Sequence, residues 1–409
     1  MARKMKDSGI EWIGEIPEGW SIARGKHILT LLQRAVFPTD GVITCFRDGE
    51  VTLRSNRRED GFTVSLKEIG YQGIEPGDLV VHGMDGFAGS IGISDSRGKS
   101  SPVLVVLDSS QDKKYLMYYL RSMAYNNVFL ALSTGIRVRS CDLKWNKLAD
   151  LLYLVPPIVE QHKLVSFLDE KCSEIDAMLS KTRSSIEEYK KLKQAVITQA
   201  VTKGVRGERE MKDSGVEWIG MVPKEWTLLP FRRVLKERNE KNTPIKSTER
   251  LSLSIELGVT LYSEKTTNLD RFKDDFEQYK LAYKGDLVMN SMNMIVGATG
   301  VSEYFGCVSP VYYTFYDDSL EHVTAKYCEY IFRSKTMLRV LYSLGKGIYA
   351  IVRGDDRVNT CRLKVSKDDL KSLIVPVPSL NEQREIVHYL NVKCAEIDKL
   401  IAKKEQLVK

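Results

Sequence analysis

The sequence predicts an α+β chain: two tandem globular α/β domains separated by two long helices that pair as an antiparallel coiled coil. Three observations predict it. The chain repeats itself in order, at an offset that grows from 206 to 222 residues. Each copy begins with short β-branched runs punctuated by Gly, Asp, Asn and Ser. Each copy then ends in a stretch free of Gly and Pro, with apolar residues recurring at steps of three, four or seven.

The repeat starts with Met5-Lys6-Asp7-Ser8-Gly9-Ile10-Glu11-Trp12-Ile13-Gly14, which returns as Met211-Lys212-Asp213-Ser214-Gly215-Val216-Glu217-Trp218-Ile219-Gly220. Gly77-Asp78-Leu79-Val80 returns as Gly285-Asp286-Leu287-Val288, and Ser101-Pro102-Val103 as Ser309-Pro310-Val311. Glu160-Gln161 and Lys171-Cys172-Ser173-Glu174-Ile175-Asp176 return as Glu382-Gln383 and Lys393-Cys394-Ala395-Glu396-Ile397-Asp398. Preserved order over five segments is a tandem duplication.

Taken in chain order, Val80-Val81, Ile91-Gly92-Ile93 and Val103 to Leu107 carry strand-like β-branched content. Lys113 to Met123 reads as a helix with Leu116, Tyr119, Leu120 and Met123 on one face, and Ala325 to Leu338 as its match. Pro156-Pro157 stops the last strand, and a long helix follows from Val159 to about Thr202, closed by Gly204. Its seam is Leu164, Leu168, Cys172, Ile175, Leu179, Ile186, Tyr189, Val196 and Ala200. The second copy repeats the seam at Ile386, Leu390, Cys394, Ile397 and Ile401. The predicted divisions are 1–155, a first globular domain; 156–207, the first long helix; 208–376, a second globular domain; and 377–409, a second helix shorter than its repeat.

At 409 residues and 46.5 kDa the chain is long enough for two or three domains. No apolar run reaches the roughly 18 residues of a membrane span, and the basic start has no apolar stretch behind it, so a soluble, cytoplasmic chain is expected. Seven scattered cysteines, none in a C-x-x-C pair, are expected as buried thiols. The net charge of +7 is spread evenly along the chain, which permits a nucleic-acid partner without requiring one. Chemistry is hard to find. Gly345-Lys346-Gly347 lacks the third glycine of a dinucleotide loop, no phosphate-binding P-loop occurs, and Pro156-Pro157 lacks the Asn or Asp and the aromatic residue of an amino-methyltransferase motif. The five histidines have no metal-ligand spacing. No catalytic, cofactor or metal residues are therefore expected.

The duplicated motifs do carry a resemblance. Two copies of Gly-Asp-Leu-Val followed by a polar loop, then Ser-Pro-Val, then Pro-rich residues leading into Glu-Gln and a long helix, resemble the specificity subunit of type I restriction-modification systems over essentially the whole chain. The segments Gly285 to Met294 and Pro376 to Gln383 are especially similar to the family's patterns, whereas the first copy is looser, with His82-Gly83-Met84-Asp85 at the loop. The resemblance implies two target-recognition domains, each reading half of a bipartite site in double-stranded DNA, with the paired helices as spacer. It also implies two methyltransferase (modification) subunits and restriction/translocase subunits as partners. S-adenosylmethionine, ATP and Mg would sit on those partners, so this chain would be a non-catalytic subunit of a site-specific deoxyribonuclease and adenine DNA methyltransferase complex. A free-standing coiled-coil DNA-binding regulator and a protein-binding scaffold are the alternative readings.

Reading bases calls for Arg on guanine and Asn or Gln on adenine, while phosphates take Lys, Arg and small donors. On that basis the DNA-binding candidates in the first copy are Arg54, Arg57, Arg58, His82, Met84, Arg137 and Arg139. In the second copy they are Asn290, Met292, Asn293, Lys346, Tyr349 and Arg353. Trp12 and Trp218 lie in the best-matched segment, and an identical sequence in both copies suits docking better than reading two different half-sites.

Overall fold

The computed structural model describes residues 3–57, 68–131, 143–265, 275–318, 322–347 and 363–408. It divides into two compact units, Met1–Ala177 and Met178–Lys409, a division that falls inside the helix Ile158–Lys203.

Each unit carries the same antiparallel four-stranded sheet. In the first unit the order across the sheet is Leu29–Leu31, Leu104–Ser109, Leu79–His82, Ile91–Ile93. In the second it is Lys236–Arg238, Tyr312–Tyr316, Leu287–Asn290, Thr299–Val301. The register is duplicated as well: Leu79 faces Leu107 as Leu287 faces Phe315, and His82 faces Leu104 as Asn290 faces Tyr312.

Gly-Asp-Leu-Val opens the inner strand, and its run of apolar residues follows from burial on both faces. Successive side chains of a strand point to opposite faces. Leu79 and Val81 join a core with Ile16, Leu107, Leu116 and Leu120, while Val80 joins a second cluster with Ile43, Cys45, Val51 and Val106. Leu287 and Met289 are divided from Val288 in the same way. Burying each such side chain stabilises by about 1.5–3 kcal/mol. Smaller strand pairs complete each unit. Ile43–Cys45 pairs Val51–Leu53 as Leu251–Ser254 pairs Gly258–Leu261, and Ser21–Arg24 pairs Leu152–Val155 as Thr227–Pro230 pairs Ile374–Val377.

The helix Lys113–Tyr125 starts where Asp112 accepts the backbone N–H groups of Lys114 and Tyr115, at 2.8 and 3.1 Å. It buries the expected face, Leu116, Tyr119, Leu120 and Met123, with Tyr115 beside them. Its match is different. Ala325 to Leu338 is not one helix but two, Val323–Arg333 and Lys335–Leu344, divided at Ser334. Ser334 has extended backbone angles, and its hydroxyl accepts from the Met337 N–H at 3.4 Å, so it caps a new helix.

The long helices run over Ile158–Lys203 and Leu380–Val408. Gly204, at φ +76°, takes the left-handed conformation that ends the first. Within the second unit the two helices lie antiparallel. Lys193 donates to Asp398 at 2.6 Å, and the Lys404 ammonium lies 5.8 Å from the Tyr189 ring centroid. Ile386, Leu390, Cys394 and Ile397 are buried on one side of this contact and Ile186, Ile197, Ala200 and Val201 on the other. Ile401, Leu179 and Val196 are half-buried, so the seam runs through Ile197 and Val201 rather than through Val196.

Farther up the first helix the expected seam needs correction. Leu164 and Leu168 are half-buried and the fully buried residue there is Val165, while Ile175 is 56% exposed. Cys172 corrects a second expectation, being an exposed thiol, whereas Cys45, Cys307, Cys328 and Cys394 are buried as expected. Burial pushes the Cys45 thiol up to about 12. Among the described residues no helix is long and apolar enough to cross a membrane.

Candidate functional site

The duplicated loop after Gly-Asp-Leu-Val is built from its base upward. Asp78 accepts the Glu75 N–H at 2.8 Å, and Asp286 accepts the Tyr283 N–H at 2.9 Å, so each carboxylate closes the turn into its strand. Each is also paired with an arginine on the outer strand or just after it, Arg34 with Asp78 and Arg238 with Asp286 at 2.6 Å. Arg238 lies between the rings of Tyr283 and Tyr316, with centroids 4.4 and 4.3 Å away. Burial pushes the Asp286 carboxyl up, against the hydrogen bond from Arg238 that pulls it down.

At the other end of the strand the side chain turns back on its own backbone. Nδ1 of His82 accepts the N–H groups of Met84 and Asp85, at 3.2 and 3.0 Å. Oδ1 of Asn290 accepts those of Met292 and Asn293, at 3.1 and 3.4 Å. These bonds give His82 and Asn290 a structural task within their own turns. Both are turn caps whose acceptors are taken by their own backbone; Asn290 is 8% exposed and His82 is half-buried. Burial pulls the His82 imidazole below its usual value, and an acceptor Nδ1 requires the neutral tautomer with its proton on Nε2. The turns that follow match in backbone angles. Asp85 has φ −104°, ψ 4° and Asn293 has −108°, 1°; Gly89 has +90°, 7° and Gly297 has +93°, 15°. Glycine serves at the last position because φ is positive there.

The outward residues lie at the tip. Met84 is 54% exposed, Met292 is half-buried and Asn293 is exposed. Beside each tip a second strand of chain is pinned. Leu143 donates its N–H to the Gly83 carbonyl at 2.9 Å, and Val365 donates to the Ser291 carbonyl at 3.0 Å. Arg58, Arg137, Arg139, Tyr349 and Arg353 lie outside the described residues.

The remaining basic candidates are occupied. Arg57 pairs with Asp48 at 2.7 Å and Glu50 at 3.2 Å and lies over the Phe46 ring. Arg54 donates to the Thr44 hydroxyl at 2.9 Å. Lys346 pairs with Asp369 at 3.0 Å, although its side chain is 75% exposed. An exposed pair of this kind is worth little, and a phosphate can displace it.

Sequence reasoning missed the residues that fix each globular part to its helix. The Glu160 carboxylate accepts from Arg3 at 2.5 and 2.6 Å and from the Trp20 indole at 3.0 Å. Glu382 accepts from Arg209 at 2.6 Å and from the Trp226 indole at 3.1 Å. Gln161 donates to the Pro156 carbonyl at 2.8 Å and Gln383 to that of Pro378 at 3.0 Å. The repeated Glu-Gln was visible in the sequence, as were its partners, since Arg3 and Trp20 recur as Arg209 and Trp226. Among the described residues no group of three His, Cys, Asp or Glu side chains could hold a metal ion.

No protein-family model matches the chain. Individual relatives do. It is 23% identical over 237 residues to a protein of Methanocaldococcus jannaschii named for the MjaX specificity subunit of a type I restriction enzyme, a match that spans 53% of each chain. It is 21% identical over 410 aligned positions to the EcoKI specificity subunit of Escherichia coli, covering 91% of this chain and 82% of that one. Among solved structures, a chain from a type I R-M system described for its complex assembly and conformational transition superposes with a TM-score of 0.67 at 15% identity, over 95% of this chain and 94% of that one. The HsdS subunit of Thermoanaerobacter tengcongensis superposes at 0.53 and 16% identity, over 98% of this chain and 93% of that one. The resemblance read from the duplicated motifs therefore holds, and in both sequence and fold the chain is similar to the specificity subunits of type I restriction-modification systems.

Proposed function

We propose that this chain is the non-catalytic DNA sequence-recognition subunit of a type I restriction-modification complex. Residues 1–155 and 208–376 are its target-recognition domains, each reading one half of a bipartite site. The two long helices form an antiparallel coiled coil that spaces them. The observation that carries this reading is the pair of loops after Gly-Asp-Leu-Val. Their backbones agree, while side chains along them differ: His82-Gly83-Met84-Asp85 in one and Asn290-Ser291-Met292-Asn293 in the other, with the methionine shared. A constant scaffold with a variable tip suits two readers of two different sequences. A helix of 46 residues is about 69 Å long, of the order of two DNA turns at ~34–36 Å each.

Two methyltransferase subunits and the restriction/translocase subunits are the partners, carrying S-adenosylmethionine, ATP and Mg, in the cytoplasm. The test is to express the chain with its methyltransferase and map methylated positions. Changing Met292 and Asn293 together should alter one half-site, and changing Met84 and Asp85 the other. Each lost base contact costs about 1–3 kcal/mol, roughly ten- to a hundredfold. If either pair altered both halves, the two-reader architecture would be wrong. Sequence-specific binding by the chain alone, with no methylation in company, would favour the free-standing regulator.

A further inference from the structure

Two of the clefts that line the first long helix within the second unit differ in charge. One, of about 970 Å³, is lined by cations that face carboxylates: Lys193 pairs with Asp398 at 2.6 Å and Arg333 with Glu329 at 3.0 Å. The other, of about 430 Å³, lies between that helix and the first turn of Lys335–Leu344. It is lined by Lys191, Lys203, Lys335 and Arg339, with threonine and glutamine side chains between them and no carboxylate. None of these four cations has an ion-pair or hydrogen-bond partner for its side chain among the described residues. Like charges gathered in a concavity repel one another and focus a positive potential outward. The free N–H groups at the start of Lys335–Leu344 add to it.

We infer that this acid-free cleft holds the phosphate backbone of the DNA whose bases the neighbouring loop reads. The inference rests on the recognition reading above. Lysine, arginine, threonine and glutamine are the donor set of phosphate contacts, which position a duplex without reading it. Lys191 and Lys203 stand twelve residues apart, about 18 Å along the helix. That is roughly the rise of five nucleotides at ~3.4 Å each. The placement also fits. The helix that supplies Lys335 and Arg339 carries Leu338, which packs beside Gly297 in the turn that follows Asn293. The same helix thus links the reading loop to the cleft. A phosphodiester backbone is favoured over an acidic protein segment because the helix that supplies Lys335 and Arg339 also packs against the turn of the reading loop.

The experiment uses the complex of the full chain with its methyltransferase and a duplex containing the mapped site. Two double variants, K335Q/R339Q and K191Q/K203Q, remove two cations each from exposed positions. Affinity is measured against salt concentration. Each double variant should lower the slope of log K against log[salt] by about 1.8, at ~0.9 per phosphate contact. Specific and non-specific DNA should be weakened alike, and the methylated sequence should stay the same. Unchanged slopes in both variants would overturn the inference. So would loss of the methyltransferase from the complex with DNA affinity per complex unaltered, which would assign the cleft to a protein partner. If the unaltered complex showed no site preference, the recognition reading would fail and take this inference with it.

Discussion

The loop at Met84 and the loop at Met292 share a backbone that different side chains hold in place. His82 offers an imidazole nitrogen where Asn290 offers an amide oxygen, and either accepts the same two N–H groups. Beneath the turns the packing differs. Gly86 is hemmed in, since a Cβ there would lie 2.6 Å from Leu143, whereas the matching Met294 is fully buried in the core. The comparison separates two jobs. Backbone hydrogen bonding fixes the loop, which leaves the tip free to differ between copies. Each copy can then be perturbed as a control for the other.

The largest expected effect is at the base of the loops. Removing one partner of a buried ion pair leaves the other charge desolvated and costs about 3–5 kcal/mol. Asp286 has a side chain only 2% exposed, and Arg238 is 22% exposed. Arg34 is 33% exposed, so water can partly replace it beside Asp78. Arg238→Ala should therefore destabilise the second unit by about 3 kcal/mol, and Arg34→Ala should affect the first unit less. At ~2–4 °C per kcal/mol for a unit of this size, calorimetry should show a fall of roughly 6–12 °C for Arg238→Ala. A transition that stays in place would remove the pair from the account of loop stability.

The next contrast is between Glu382 and Glu160. Both accept from an arginine and an indole, but the Glu382 side chain is 2% exposed and that of Glu160 is 23% exposed. Hydrogen bonds to a buried charge are worth about 1.5–3 kcal/mol, whereas exposed pairs give about 0–1 kcal/mol. Glu382→Gln should cost about 2 kcal/mol and Glu160→Gln less than half of that, read from urea midpoints of the two variants. Equal losses would mean that burial does not set the strength of this latch.

These contrasts show what a sequence can carry. Periodicity records burial, so the inner strands at Leu79 and Leu287 and the helix face at Leu116 and Leu120 were legible, as was the seam at Ile386 and Leu390. Pairings across 44 or 48 residues, such as Arg34 with Asp78 and Arg238 with Asp286, leave no local period. The capping bonds of His82 and Asn290 to their own backbone were not legible, because a polar residue at a strand end carries no local sign of the turn it closes. Ser334 reads as one more polar residue in a helix until its φ and ψ reveal a cap. Ile175 satisfies the heptad yet is 56% exposed, so periodicity alone does not assign burial.

The smallest expected effect is a pH dependence confined to the first loop. His82 is neutral when Nδ1 accepts from Met84 and Asp85, and protonation would turn that acceptor into a donor facing two N–H groups. Burial, with the nearby Arg47 charge, pulls its pKa down against the opposing pull of Asp85. The unfolded chain therefore binds the proton first, near the ordinary value of about 6.5. Stability from this group is complete above that pH and is lost as pH falls through it toward the folded value. The second loop has no such liability, because the Asn290 amide does not titrate. His82→Asn should copy that design, keeping the turn while removing the dependence. Unfolding midpoints of the first unit at pH 7.5 and 5.5 should differ more in the unaltered chain than in His82→Asn. If the two proteins lost stability equally on acidification, the titrating group would lie elsewhere and the imidazole cap would be no pH sensor.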